Sequence, residues 1–118
     1  VACKPDFPIS TPELFARIDS CKLRRRPDTA GMLEALKAGS LEEVARRMYN
    51  VFEDVLPERY QTRVAEIKQV LIQKGALGAN MSGTGPTAFG LFDSEEAAQE
   101  AADILKDTYR ETFLCRSV

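Results

Sequence analysis

A glycine turn flanked by two short apolar runs is the feature of this sequence that most constrains its fold. The turn is Gly83-Thr84-Gly85-Pro86, with the small-residue run 77–82 before it and the strand-like run 87–92 after it. Glycine lets the backbone adopt positive φ, and a glycine-rich turn between two short runs is typical of a β-hairpin. We therefore predict two short strands joined by a tight turn in this part of the chain.

Helical patterns precede the hairpin. Hydroxyl or carboxylate caps, prolines in first turns and terminal glycines divide this part of the chain into four predicted helices. They extend from Ser10 to the basic run that starts at Lys22, from Asp28 to Gly39, from Ser40 to Pro57, and from about Glu58 to Lys74. The third stretch has the clearest amphipathic pattern, which predicts one continuous helix between its cap and its proline.

Strands are predicted at both ends of the chain. Residues 1–4 are compatible with a short strand that Pro5 stops, and residues 112–118 predict a final strand. Between the hairpin and that strand, Asp93 and Ser94 are expected to cap a last helix. The order strand, helices, hairpin, helix, strand predicts one α+β domain over residues 1–118. Its architecture is expected to be a ferredoxin-like antiparallel sheet covered by helices.

Composition excludes several classes of protein. The chain is 44% hydrophobic and 29% charged, which is typical of a globular domain. Its net charge of -2 gives no overall field that would gather nucleic acid, and no apolar run approaches the roughly 20 residues that span a bilayer. The sequence contains no histidine, which excludes a Ser-His or Cys-His nucleophile and the usual zinc hydrolase sites within this chain. Neither nucleic acid nor a membrane is an expected partner.

The three cysteines, Cys3, Cys21 and Cys115, are odd in number and widely spaced. This spacing favours reduced thiols over a disulfide framework or a zinc site, and a cytoplasmic setting is the default expectation. Because Cys115 lies in a strand-like run, we expect it in the core.

The hairpin turn is also the first candidate for chemistry. Residues 81–87 contain two glycines, one proline and three hydroxyl side chains. Successive N–H groups in such a turn can form an anion-binding nest, and hydroxyls add donors suited to phosphate oxygens. The alternative is a tight hairpin whose hydroxyls cap local backbone groups. A strand follows the turn and no Gly-Lys-Ser/Thr occurs, so the turn is neither a P-loop nor a dinucleotide fingerprint.

The start of the first predicted helix is the second candidate. Ser10-Thr11-Pro12 would expose free N–H groups beside the ring of Phe15, which suits a polar ligand with one flat face. The alternative is a plain helix cap with Phe15 in the core. A solvated loop is the expected role of the only basic cluster, which consists of Lys22, Arg24, Arg25 and Arg26.

Two segments carry a resemblance to a known family. The segment 78–92, with Met-Ser-Gly-Thr-Gly-Pro-Thr followed by Phe-Gly-Leu-Phe, closely resembles the third conserved motif of the GHMP kinases. Lys4-Pro5, followed by Ser10-Thr11-Pro12 and Phe15, is similar to the segment that opens the C-terminal domain in that family. The intervening helices and the closing helix and strand also fit, so the resemblance covers essentially the whole chain. Its motif is most similar to that of the members that act on 4-diphosphocytidyl-2-C-methyl-D-erythritol.

The resemblance implies a kinase that uses ATP and Mg²⁺ to phosphorylate the 2-hydroxyl of that substrate in the non-mevalonate route to isoprenoids. It places the phosphate loop, the catalytic lysine and the catalytic aspartate in an N-terminal domain that this chain lacks. The chain is then expected to hold no catalytic residue and no metal site, and to bind no cofactor by itself.

The same resemblance assigns two sets of site residues. Thr11, Pro12 and Phe15 correspond to a wall of the substrate pocket near the cytidine ribose. The glycine-rich loop beside the active-site cleft corresponds to Ser82, Gly83, Thr84 and Gly85.

Two alternatives stay open at this point. The chain could belong to another GHMP kinase, such as a homoserine or mevalonate-pathway kinase, or it could be a free-standing ferredoxin-like binding module. The absence of an initiator Met suggests a chain that begins inside a larger protein, which favours a kinase half that is inactive alone. Such a half would expose the apolar face that met the missing domain, and we therefore expect self-association.

Overall fold

The computed structural model describes residues 1–20 and 26–116 and contains six helices and four strands within these ranges. In chain order the elements are β1 (Ala2–Lys4), α1 (Thr11–Ser20), α2 (Thr29–Ala38), α3 (Leu41–Arg46), α4 (Val51–Val55), α5 (Glu58–Gln73), β2 (Gly78–Met81), β3 (Ala88–Leu91), α6 (Glu95–Thr108) and β4 (Glu111–Phe113). None of the helices in the described ranges is long and apolar enough to cross a membrane.

The four strands form one antiparallel sheet with the order β2-β3-β1-β4. β2 and β3 form the predicted hairpin, with Met81 opposite Ala88. β1 lies between β3 and β4, so the first strand of the chain occupies a central position in the sheet. This arrangement confirms the predicted α+β fold with a ferredoxin-like antiparallel sheet.

The core lies between one face of the sheet and helices α5 and α6. Cys3 and Ala88 point to that face and are fully buried. Because side chains alternate along a strand, these residues share a face while their neighbours in sequence point the other way. The two helices contribute apolar residues at helical spacing, as the sequence predicts: Val64, Ile67, Leu71, Ala98, Ala101, Ala102 and Leu105. Tyr109, directly after α6, joins them.

Several predicted helix ends are confirmed at the level of hydrogen bonds. The side chains of Asp28, Ser40 and Ser94 accept from backbone N–H groups in the first turns of α2, α3 and α6. Gly39 ends α2 in the left-handed conformation, with φ of 69°. These signals lie within a few residues of the structure that they specify, and for that reason they are readable from the sequence.

The single helix predicted from Ser40 to Pro57 is wrong. The chain forms two short helices, α3 and α4, and Asn50 between them has an extended backbone with φ of -131° and ψ of 109°. The amide of Asn50 caps α4 and also bonds to the hairpin turn. The amphipathic pattern would allow a continuous helix. The helix is interrupted at Asn50, where the side chain bonds to a distant part of the chain.

The predicted final strand, 112–118, is too long over its described part, because residues 114–116 form no strand; residues 117 and 118 lie outside the described residues. β4 ends at Phe113 because it pairs only with the three residues of β1. Cys115 is therefore exposed and lies outside the sheet, so its expected place in the core is wrong.

Cys3 and Cys115 are both free thiols, as predicted. Burial raises the pKa of the Cys3 thiol, and the hydrogen bond from Thr112 opposes that rise. Cys21, like Lys22, Arg24 and Arg25 of the basic cluster, lies outside the described residues.

Candidate functional site

The glycine loop, Ser82–Gly85, connects β2 and β3. Two backbone hydrogen bonds close it, one from Ser82 N–H to the Thr87 carbonyl at 2.8 Å and one from Gly85 N–H to the Ser82 carbonyl at 2.9 Å. Gly83 and Gly85 both have positive φ, at 54° and 82°. Both glycines therefore adopt the left-handed backbone that glycine makes accessible.

The two glycines differ in their surroundings. A methyl group at Gly85 would lie 2.6 Å from the Met81 sulfur and 3.1 Å from Cδ1 of Ile9. A methyl group at Gly83 would have no neighbour within 4 Å. Gly85 therefore lies against the body of the domain, whereas Gly83 faces open space.

Two successive amides of the loop remain available. The N–H groups of Gly83 and Thr84 have no acceptor among the described residues, and Gly83 is exposed. Free amides in a loop that contains left-handed glycines are suited to contact an anionic oxygen.

The second predicted site segment lies at the start of α1. Ser10 accepts from Glu13 N–H at 3.3 Å and thereby caps the helix as predicted. Thr11 and Pro12 in the first turn are exposed.

Phe15 is 52% exposed, so the alternative that placed it in the core is wrong. Leu14, the preceding residue, points inward and is 1% exposed. The ring of Phe15 contacts the ring of Phe52 from α4 in a T-shaped arrangement, with 5.1 Å between centroids.

The structure brings the two predicted segments together. The hydroxyl oxygens of Thr11 and Thr84 lie 3.2 Å apart, although 73 positions separate them in the sequence. The start of α1 and the glycine loop therefore form one surface, with the Phe15 ring one turn further along α1. Of the basic cluster, only Arg26 is described, and it is an exposed residue.

Three further residues support the glycine loop and were not predicted. The amide nitrogen of Asn50 donates to the carbonyls of Met81 and Gly83, each at 2.7 Å. A carboxylate oxygen of Glu53 accepts from Met81 N–H at 3.3 Å, and the other is paired with Lys68 at 2.8 Å.

A local signal for this support exists in the sequence. The pattern Asn50-Val51-Phe52-Glu53 has a cap residue followed three positions later by glutamate, which is typical of a helix start. The longer amphipathic pattern around it predicts a continuous helix and hides that signal.

Within the described ranges, no three cysteine or acidic side chains are grouped so that they could hold a metal ion.

The chain was compared with protein families, curated proteins and solved structures. The family described as GHMP kinases C terminal matches residues 32–111. The chain is 37% identical over 118 residues to 4-diphosphocytidyl-2-C-methyl-D-erythritol kinase of Clostridium novyi and 40% identical over 118 residues to that of Clostridium kluyveri. Each alignment covers 100% of this chain and 42% of the relative, so the chain spans less than half the length of these curated relatives.

Two solved structures share the fold. A crystal structure of 4-(cytidine 5'-diphospho)-2C-methyl-D-erythritol kinase matches with a TM-score of 0.68 at 24% identity, covering 90% of this chain and 38% of the other. A homoserine kinase from Cytophaga hutchinsonii matches with a TM-score of 0.63 at 20% identity, covering 90% and 35%. At these identities the two matches establish the architecture alone.

Proposed function

Because this chain belongs to the GHMP kinase family through its C-terminal domain, we propose that it is part of a cytoplasmic 4-diphosphocytidyl-2-C-methyl-D-erythritol kinase. The intact enzyme would transfer the γ-phosphoryl group of ATP to the 2-hydroxyl of its substrate in isoprenoid biosynthesis. The observation that carries this proposal is the alignment of all 118 residues with kinases of that name at 37% to 40% identity.

The proposed substrate wall consists of Thr11, Pro12 and Phe15. Its support is the exposure of all three residues on one helical turn, with the Phe15 ring braced by Phe52. An exposed aromatic ring beside a hydroxyl suits a nucleoside, since it offers apolar contact to the sugar or base and a hydrogen bond to a polar group.

The glycine loop is the proposed contact with the phosphate-binding part of the active site. Its free amides at Gly83 and Thr84 and the hydroxyl of Ser82 are donors suited to anionic oxygens or to a neighbouring loop. Phosphoryl transfer depends mainly on positioning and on electrostatic stabilisation of the transferred group. A loop that its backbone hydrogen bonds hold beside the phosphates would contribute to their positioning.

This chain would supply no group that takes part in the chemical step. The catalytic lysine and aspartate, the phosphate loop, and the principal contacts to ATP and Mg²⁺ would come from an N-terminal domain. The chain by itself would therefore bind its ligands weakly and would have no kinase activity.

An ADP-release assay tests the proposal. We expect the intact protein to turn over 4-diphosphocytidyl-2-C-methyl-D-erythritol, and the 118-residue chain to show no activity above background. Homoserine serves as the control substrate, and preferential turnover of homoserine by the intact protein would replace the proposed specificity with another one of the same family. Activity of the 118-residue chain within about tenfold of the intact protein would contradict the proposed division of the active site.

A further inference from the structure

Asn50 connects the two parts of the candidate site. Its side-chain oxygen accepts from Phe52 N–H at 3.0 Å and so caps α4. Its amide nitrogen donates to two carbonyls of the glycine loop region, that of Met81 before Ser82 and that of Gly83 after it. One side chain therefore holds the backbone on both sides of Ser82.

The position of β2 explains why the loop needs this support. β2 is an edge strand of the sheet, and within the described ranges the main-chain groups on its outer side have no neighbouring strand. At Met81, the last residue of β2, α4 supplies both missing partners. Glu53 accepts from the Met81 N–H, and Asn50 donates to the Met81 carbonyl. Met81, from which the glycine loop starts, thus has its N–H and its carbonyl both hydrogen-bonded, one to Glu53 of α4 and the other to Asn50, the cap of α4.

α4 also reaches the other half of the site. Phe52, which follows Asn50 by two positions, packs against Phe15 of the proposed substrate wall. The hydroxyls of Thr11 and Thr84 complete a closed circuit of contacts from α4 to the loop, from the loop to α1, and from α1 back to α4. A displacement of the loop relative to α4 would consequently disturb both halves of the site.

We propose that Asn50 is a positioning residue of the active site, which holds the glycine loop in its functional conformation through its two amide donors rather than through its helix cap. The expected effect on kcat/KM rests on the proposed kinase function, whereas the claim that Asn50 holds the glycine loop does not.

Two substitutions separate the donors from the cap. Aspartate and serine cap helices about as well as asparagine, so Asn50→Asp and Asn50→Ser both retain an acceptor for Phe52 N–H. Neither can donate as the amide does. Asn50→Asp in addition places a carboxylate against two carbonyl oxygens, so its effect should be the larger.

The first measurement is hydrogen exchange of the loop amides in the 118-residue chain. We expect the protected amides of segment 82–87, those of Ser82 and Gly85, to exchange at least about tenfold faster in Asn50→Ser than in the unmodified chain, because the loop loses two hydrogen bonds that hold it closed. Ser94→Ala is the matched control, since it removes the cap of α6 far from the loop and should leave exchange of segment 82–87 unchanged.

The second measurement is steady-state kinetics of the intact enzyme, well below its melting temperature. We expect Asn50→Ser to lower kcat/KM roughly tenfold to thirtyfold, as the loss of two hydrogen bonds predicts, and Asn50→Asp to lower it further. Ser94→Ala should retain kcat/KM while losing comparable stability. A residue that only stabilises the fold would behave like this control.

The outcomes are distinct. Unchanged exchange of segment 82–87 in Asn50→Ser overturns the inference, and so does faster exchange with kcat/KM within about threefold of the unmodified enzyme. If the unmodified intact protein has no kinase activity, the proposed function fails separately. In that event faster exchange still supports the role of Asn50 in holding the loop, and unchanged exchange still overturns it.

Discussion

At the scale of single residues, Gly83 and Gly85 distinguish two reasons why a turn can require glycine: a strained backbone conformation, and close contact with neighbouring side chains. Both residues have a left-handed backbone, but only Gly85 is in close contact with its surroundings. We expect Gly83→Ala to destabilise the chain by about 1 kcal/mol through backbone strain alone. Gly85→Ala should cost about 2 kcal/mol or more, because Met81 and Ile9 must also move. Urea denaturation of the two variants measures the difference.

Steady-state kinetics of Gly83→Ala in the intact enzyme tests the functional role of the glycine loop. If the loop faces the cleft, Gly83→Ala in the intact enzyme should lower kcat/KM by more than its loss of stability explains, since its new methyl group points into open space. A Gly83→Ala enzyme with full activity at low temperature would reduce the loop to a structural turn.

At the scale of elements, α5 shows how one helix divides its residues between core and solvent. Ile67 is 0% exposed and Ile72 is 50% exposed. The same change, isoleucine to alanine, has only a small effect on helix propensity at either position, so a large difference between the two variants reflects burial.

We expect Ile67→Ala to lower the free energy of unfolding by about 2 to 5 kcal/mol, whereas Ile72→Ala should change it by less than about 1 kcal/mol. Chemical denaturation monitored by circular dichroism gives both values. Equal losses at the two positions would mean that α5 does not pack on the sheet through the face that contains Ile67.

At the scale of the whole molecule, the sheet has one face covered by α5 and α6 and an opposite face that is covered only in part, where Ala45 of α3 lies against Gly78 of β2. Cys3 and Ala88 face α5 and α6, while Ala2, Phe89 and Phe113 lie side by side on the opposite face. Phe113 is 63% exposed, and Leu41 of α3 lies near Phe89 on that side. We call these four residues the open sheet face: Ala2, Leu41, Phe89 and Phe113.

We propose that the open sheet face drives the self-association expected of this chain. Exposed apolar patches on monomers usually mark a surface that meets a partner. Phe113→Ser should weaken association at least about tenfold, because burial of one phenylalanine is worth roughly 1.5 to 3 kcal/mol. Sedimentation velocity over a range of concentrations measures this change.

Ile104→Ser is the control for the association experiment. Ile104 is 38% exposed but lies on α6, which covers the other side of the sheet. This variant should associate like the unmodified chain. A chain that stays monomeric at every concentration, or equal weakening by both substitutions, would contradict the role of the open sheet face.

The sequence by itself determined the elements whose signals are local. Asp28, Gly39 and Ser94 act on backbone groups within five positions of themselves, and each is placed as predicted. The period of apolar residues in α5 and α6 likewise predicts which face is buried, because helical geometry alone relates residues three and four positions apart. The antiparallel α+β architecture follows from the order of these elements.

The tertiary structure alone decided how the candidate site is assembled. The break before α4 accompanies hydrogen bonds from Asn50 to carbonyls 31 and 33 positions away, which no helical period within residues 40–57 can indicate. The contact between Thr11 and Thr84 likewise depends on the arrangement of β1, β3 and the hairpin in one sheet. Exposure of Phe15 was also decided in three dimensions, since Leu14 beside it has similar apolar character and lies in the core. Burial depends on which elements pack together, and that is a property of the assembled chain.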